Sequence, residues 1–310
     1  KMMEKQFSKK LWSYIRWQLY KHLLRKKTIL FKVQGTMMHL DLINEGISKA
    51  LALQGIREAD HTKIMKDELQ YGMAVLDIGA NIGYYPLLEA SHVGVEGKVY
   101  AIEPDLRNIE LLRDNVRVNN FQNIVDIYNM ACSNKNGKEK IFLAKKTNLN
   151  TFASKDDHKF LAEHLIDRTE EISVTTVDKF LEEKSAKIDF VRMDIEGYEV
   201  EVFQGMHNTL QSAKTGFKVL FELHPQAYSE NHSLANELEK LFQWGFMTKI
   251  VISAGEARPK KFVELGYEPE EVIHCDGFDR GWYENIKNED TIQLTCYLPK
   301  VSRYVLLEKT

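Results

Sequence analysis

Four apolar runs in this chain end in acidic residues, and the last also carries a histidine. Asp77 lies in the run Val75-Leu76-Asp77-Ile78, which leads into Gly79-Ala80-Asn81-Ile82-Gly83-Tyr84. Glu103 follows Lys98-Val99-Tyr100-Ala101-Ile102, twenty residues after Gly83. Asp194 and Glu196 follow Ile188–Met193, and Glu222 and His224 end the run that starts at Lys218. Residues two apart in an extended chain share a face, so Glu222 and His224 can address one ligand. A carboxylate or an imidazole can take a substrate proton near neutral pH. Asp194, Glu196 and Glu222 together are compatible with a weak divalent-cation site, although no metal is predicted.

The glycine spacing narrows the ligand. A dinucleotide turn wants G-x-G-x-x-G, in which the second glycine admits a pyrophosphate. Asn81 occupies that place here. A carboxylate at Asp77 would repel a pyrophosphate but suits an ammonium group, which points to an amino-acid-bearing nucleoside. Glu103 is placed to accept ribose hydroxyls. Each residue also has a plainer role. Glu103 could favour a helix start through the macrodipole, Asp194 could be an N-cap with Glu196 and Glu199 in the first turn, and His224 could be a structural histidine.

These residues need elements to bring them together. Strands are expected at 75–78, 98–103, 124–130, 188–194, 218–223, 247–252 and 303–307, alternating with helices that open near Pro86, at Asp105 and near residue 234. That alternation predicts an α/β fold, a seven-stranded, mostly parallel sheet with helices on both faces. Ligands in such sheets lie outside the carboxyl ends of the strands. Asn129, Met130 and Ala131 would close the third strand there. Residues 138–177 interrupt the alternation with two strand-like segments. Residues 254–300 form an insert, read as a substrate cap, with a dimer arm or edge cover as the alternative. Residues 1–70 read as a basic helix, a hairpin around Gly35 and further helix, and 71–310 as the α/β domain that carries the insert.

Composition excludes several classes. The chain has 310 residues, 44% hydrophobic and 28% charged, which is neither a disordered nor a membrane-spanning composition. Cys132, Cys275 and Cys296 have neither zinc spacing nor an even count, so a reduced, cytoplasmic protein is expected. Net charge is −3, yet residues 1–32 hold ten basic residues and one acidic one, leaving a mildly acidic body. That sign argues against DNA and makes RNA a poor partner for the core. Residues 4–27 repeat Phe7, Leu11, Tyr14, Ile15, Leu19 and Leu23 at helical spacing. This stripe could meet a membrane surface; packing on the body or on a second copy is the preferred reading.

The motifs Asp77-Ile78-Gly79-Ala80-Asn81-Ile82-Gly83-Tyr84-Tyr85, Glu103-Pro104, Asn115, Thr176-Val177-Asp178, Asp194-Ile195-Glu196-Gly197-Tyr198-Glu199, Gly205 and Glu222-Leu223-His224 together resemble the FkbM family of S-adenosylmethionine (SAM)-dependent methyltransferases, over about residues 56–226. The resemblance implies a Rossmann-like class I methyltransferase fold and methylation of a hydroxyl on a sugar, polyketide or lipid-like small molecule. It implies that Asp77, Gly79, Asn81 and Gly83 cradle the methionine part of SAM, with Tyr84 beside them. Glu103 would then bind the ribose, residues 129–131 would line the adenine, and Asp194, Glu196, Glu222 and His224 would face the acceptor. Arg192-Met193 departs from the Lys-Ile or Lys-Met that the family often shows, without disturbing that assignment. The alternatives are an RNA methyltransferase docking through its basic arm and a SAM-binding interaction protein without activity.

Overall fold

The apolar runs pair side by side as parallel strands. A computed structural model describes residues 2–43, 46–144, 152, 165–298 and 300–310 of the protein. Strands β1 (Thr28–Val33) and β2 (Thr36–Asp41) form an antiparallel hairpin near the N-terminus. The main sheet takes β3 (Ala74–Ile78), β4 (Lys98–Ile102), β5 (Val125–Tyr128), β9 (Phe190–Met193), β10 (Lys218–Glu222), β11 (Phe246–Ser253), β12 (Glu271–Cys275), β13 (Phe278–Glu284) and β14 (Ser302–Lys309). The order across it is β12-β13-β11-β14-β10-β9-β3-β4-β5. From β10 to β5 every pair is parallel, while β14 runs antiparallel to both its neighbours. Three further strands, β6 (Ala131–Cys132), β7 (Gly137–Ala144) and β8 (Leu165–Thr175), make a small separate sheet.

The seven expected strands are all present, but the sheet has nine. The two extra strands come from the insert. Its hairpin β12–β13 pairs with β11 (Val251↔Tyr283), so most of the insert extends the sheet edge instead of capping the site. Only its two ends, Ala254 and Lys300, reach the larger cavity described below. The third strand also ends earlier than expected, at Tyr128, because Ala131 and Cys132 leave to pair with β8. The polar stretch between β7 and β8 lies largely outside the described residues.

Apolar side chains cover the sheet on both faces. One cluster joins Val75, Val99, Phe190 and Leu220 to Ile29, Val33, Met38 and Trp17 of the N-terminal segment. The other joins Leu76, Val191, Val219 and Phe221 to Phe180, Phe203 and Leu238 on the following helices. Alternate residues of each strand thus face opposite layers, as a strand's period of two requires.

The N-terminal segment supplies α1 (Met2–Gln18, continued by a wider turn over Leu19–Leu23), α2 (Ser48–Gln54) and α3 (Ala59–Glu68). Asn115 on α5 (Leu106–Val118) fastens it to the domain. Its amide oxygen accepts the His39 N–H (2.6 Å), and its nitrogen donates to the Ile82 carbonyl (2.8 Å). A second tie is buried. Asp60 on α3 pairs with Arg280 on β13 at 2.7 Å, both fully enclosed, and the Cys275 thiol donates to the same carboxylate (3.3 Å).

Candidate active site

The turn after β3 has to pass under a neighbouring chain. Gly79 has φ +91°, and a Cβ on it would lie 2.1 Å from the Asp194 carbonyl oxygen. Only glycine satisfies both the positive φ and the close approach. Asn81 also takes a left-handed conformation (φ +51°), which aims its amide at Glu103 Oε2 (2.8 Å). Gly83 (φ +96°) then caps α4 (Tyr84–Val93).

Two cavities meet at this turn, sharing Gly79, Asn81, Asp194 and Glu196. The smaller holds about 70 Å³ and is mostly apolar, walled by Ile78, Ile102, Ala131, Cys132 and Ile141, with Phe152 stacked on Tyr198 (centroids 4.4 Å apart). Glu103 stands at its edge. The carboxylate accepts from Asn81 N, Asp105 N (2.9 Å) and Asn108 Nδ2 (3.1 Å), which leaves lone pairs for ribose hydroxyls. Burial pushes it up to about 7 against those three donors. Asp105 caps α5 as expected, accepting from Arg107 N (2.8 Å). Apolar walls with an acidic acceptor at one end suit an adenosine. Of residues 129–131, Ala131 alone lines this space. Asn129 instead donates to the Glu103 and Pro104 carbonyls (3.2 and 2.8 Å). Met130 is half-buried against the second core cluster.

The larger cavity, about 500 Å³, mixes charged groups with apolar ones such as Ile47, Tyr85, Leu223 and Pro225. Asp194, Glu196, Glu222 and His224 line it, as does Tyr84, whose hydroxyl meets Thr62 Oγ1 (2.9 Å). His224 Nδ1 lies 2.7 Å from Glu199 Oε1, and Glu199 also accepts from Tyr228 Oη (3.1 Å) and Gly197 N (3.2 Å). His224 Nε2 faces Glu196 Oε2 at 3.5 Å. Set between Glu199 and Glu196, His224 is raised well above the usual imidazole range despite its burial. Burial pushes Glu196 up to about 7 and Glu222 up to about 8, with Asp194's charge adding to both.

Asp77 sits elsewhere than expected. It is fully buried under the turn, lines neither cavity, and accepts from Arg192 Nη1 (3.1 Å). Arg192, itself enclosed, also donates to the Gly79 carbonyl (3.1 Å) and to Asp194 (2.8 Å). Asp77 is thus a support for Arg192, and Asp194 is the carboxylate that faces the ligand space at this turn. Gly83 likewise serves the turn and lines neither cavity.

Several groups carry no sequence signal. Glu58 enters from the N-terminal segment, buried and left-handed (φ +47°), and accepts from Tyr85 Oη (2.7 Å) and Arg57 (2.8 Å). Although burial opposes ionisation, Arg57 and Arg303 hold Glu58 down at about 2. Arg303 also pairs with Glu222 (3.2 Å). Among the described residues, Asp194, Glu196 and His224 are the group whose donor atoms all lie within 4.8 Å of one another, a spacing a metal could draw together. Glu222, expected in that set, is engaged by Arg303 instead.

A family model described as Methyltransferase FkbM domain matches residues 77–248, more than half of the chain. The chain belongs to the FkbM methyltransferase family. Solved structures align with this chain at low identity. An FkbM methyltransferase from Methylobacillus flagellatus KT is 14% identical over 76% of this chain and 52% of that one (TM-score 0.38). A SAM-dependent O-methyltransferase from Thermotoga maritima is 13% identical over 92% and 86% (TM-score 0.39). Aeropyrum pernix fibrillarin, solved with SAM natively bound, is 10% identical over 90% and 82% (TM-score 0.40). A comparison with curated proteins gives no match. In this FkbM methyltransferase the matched region holds the Gly79 turn, Glu103, Asp194, Glu196, Glu222 and His224. Glu58 and Arg303 come from outside it.

Proposed function

We propose that this FkbM methyltransferase moves the methyl group of SAM to a hydroxyl oxygen of a polar, sugar-like small molecule. The observation that carries this reading is the larger cavity. It adjoins the apolar slot at Gly79, Asn81, Asp194 and Glu196, and its walls set carboxylates, guanidinium groups and an imidazole among Ile47, Tyr84, Tyr85, Leu223 and Pro225. Charged groups set among rings and aliphatic side chains match a ligand that combines several hydroxyls with an apolar ring face, as a sugar does.

When bound, SAM supplies an electrophilic methyl on a sulfonium centre. The chain's own residues then have separable tasks. Glu103 and the apolar slot hold the nucleoside, and the Gly79–Asn81 backbone with Asp194 flanks the methionine portion. Glu196 takes the acceptor's proton, since a carboxyl near 7 is half ionised at working pH. His224, held through Nδ1 by Glu199, turns Nε2 toward Glu196 and fixes that carboxylate. Positioning supplies most of the acceleration.

The test is a methyl-labelled SAM assay on a panel of glycosides, an apolar polyketide alcohol and a structured RNA. Label on an oxygen of one or more glycosides is the expected result. Transfer to RNA alone, or to nitrogen, would replace this reading with the nucleic-acid alternative.

A further inference from the structure

Helix α1 has two faces that differ in what covers them. On the inner face Trp17 is 1% exposed in the core, and Arg16 donates to the Leu30 carbonyl (2.9 Å) while lying over the Phe31 ring (4.7 Å). On the outer face Leu11, Trp12, Ile15, Leu19 and Leu23 are all exposed, Trp12 by 71% and Leu23 by 73%. At 3.6 residues per turn Leu11, Trp12, Ile15 and Leu19 fall within about a third of the helix circumference, and Leu23 follows in the wider turn. The body therefore takes the side of the helix opposite the apolar stripe, contrary to the expectation that it would bury the stripe.

Cations cluster at the C-terminal end of this stripe. Arg25, Lys26 and Lys27 are exposed there, and residues 1–32 hold ten basic residues against one acidic. Ile43, 61% exposed, lies near these cations: it follows Leu42, whose amide donates to the Lys27 carbonyl (2.9 Å). An apolar helical stripe flanked by lysines and arginines is the pattern that lies in a bilayer interface, with its cations against anionic headgroups. Pairing two copies through this face would bring two basic arms together, which charge opposes. A phosphate-binding face would place cations at its centre, where this one has leucine, isoleucine and tryptophan.

We infer that residues 10–27 dock the protein on an anionic lipid surface, with Trp12, Ile15 and Leu19 in the interface and Arg25, Lys26 and Lys27 at the headgroups. No helix of the described residues is long and apolar enough to cross the membrane, so the contact is peripheral.

The experiment is cosedimentation of the full chain with large vesicles of phosphatidylcholine, with and without about 30% phosphatidylserine. Binding to the anionic vesicles is expected, weakening as salt is raised. Trp12→Glu should lower the bound fraction by roughly tenfold, and Lys26→Glu with Lys27→Glu by a similar factor. Both changes are on exposed positions, and an unchanged circular dichroism melt checks that the fold is kept. Equal binding to neutral vesicles, or no effect of Trp12→Glu, would overturn the inference. So would a dimer in analytical ultracentrifugation that Trp12→Glu dissociates, or preferential retention of RNA.

Discussion

Glu103 and Glu196 are both buried carboxylates pushed up to about 7, yet their partners give them different work. Glu103 accepts three N–H donors and borders the apolar slot. Glu103→Gln would turn an amide donor toward one of those donors. SAM affinity is expected to fall on the order of 10–100-fold, read by calorimetry; an unchanged affinity would remove Glu103 from the ribose. Glu196 has no N–H donor of that kind and faces His224 across 3.5 Å. Glu196→Gln should lower kcat by about 100-fold or more while SAM affinity stays within a few-fold. Equal kcat for the two proteins would take Glu196 out of proton transfer. Both residues were legible in the sequence because parallel strands deliver their carboxyl ends to one place. Their partners were not. Asp77 looked like a ligand residue until Arg192, 115 positions away, was found to hold it from below. Nothing local to Arg57, Glu58 or Arg303 announces that the three meet.

The strand pattern was legible for the central sheet, since runs such as Val75–Ile78 and Lys218–Glu222 are apolar and bounded by turn residues. The insert was harder. Its strands are short and polar at the surface, as in Glu271-Val272-Ile273-His274-Cys275, so periodicity was weak. The one available signal was Asp276-Gly277, both with positive φ in the structure, a dipeptide typical of two-residue hairpin turns. Besides its pairing with β11, the buried pair between Asp60 and Arg280 ties this hairpin to α3. Asp60→Ala would leave an enclosed guanidinium without its counter-charge, at a cost of about 3–5 kcal/mol. A fall in melting temperature on the order of 10 °C is expected by calorimetry. A melt within about 2 °C of the parent would show that this pair does not hold the hairpin in place.

Charge also sets how the whole molecule responds to pH. Glu196 and Glu222 are raised above the ordinary carboxylate value of 4.5, to about 7 and about 8. Because the folded value is the higher one, their contribution to stability is full below about pH 4.5 and is lost as pH rises through 7 to 8. The cofactor-free protein should therefore lose stability between pH 5 and pH 9, and Glu222→Gln should flatten that slope. Glu58, held down at about 2, acts in the other direction and only in acid, its stabilising share vanishing as pH falls from about 4.5 through 2. Denaturant melts across pH locate both windows, and a profile flat from pH 5 to 9 would contradict the burial of these groups.

The Asp60–Arg280 pair has one more consequence. The family match ends at residue 248 and begins at 77, so Asp60 and Arg280 lie on opposite sides of it. The two ends of the chain are thus spliced into one cassette, and Glu58, Lys300 and Arg303 carry that cassette into the cavity wall. Any chimaera meant to exchange acceptor preference between relatives has to transplant both ends at once. Grafting either alone would strand a buried ion and unseat the wall it supports.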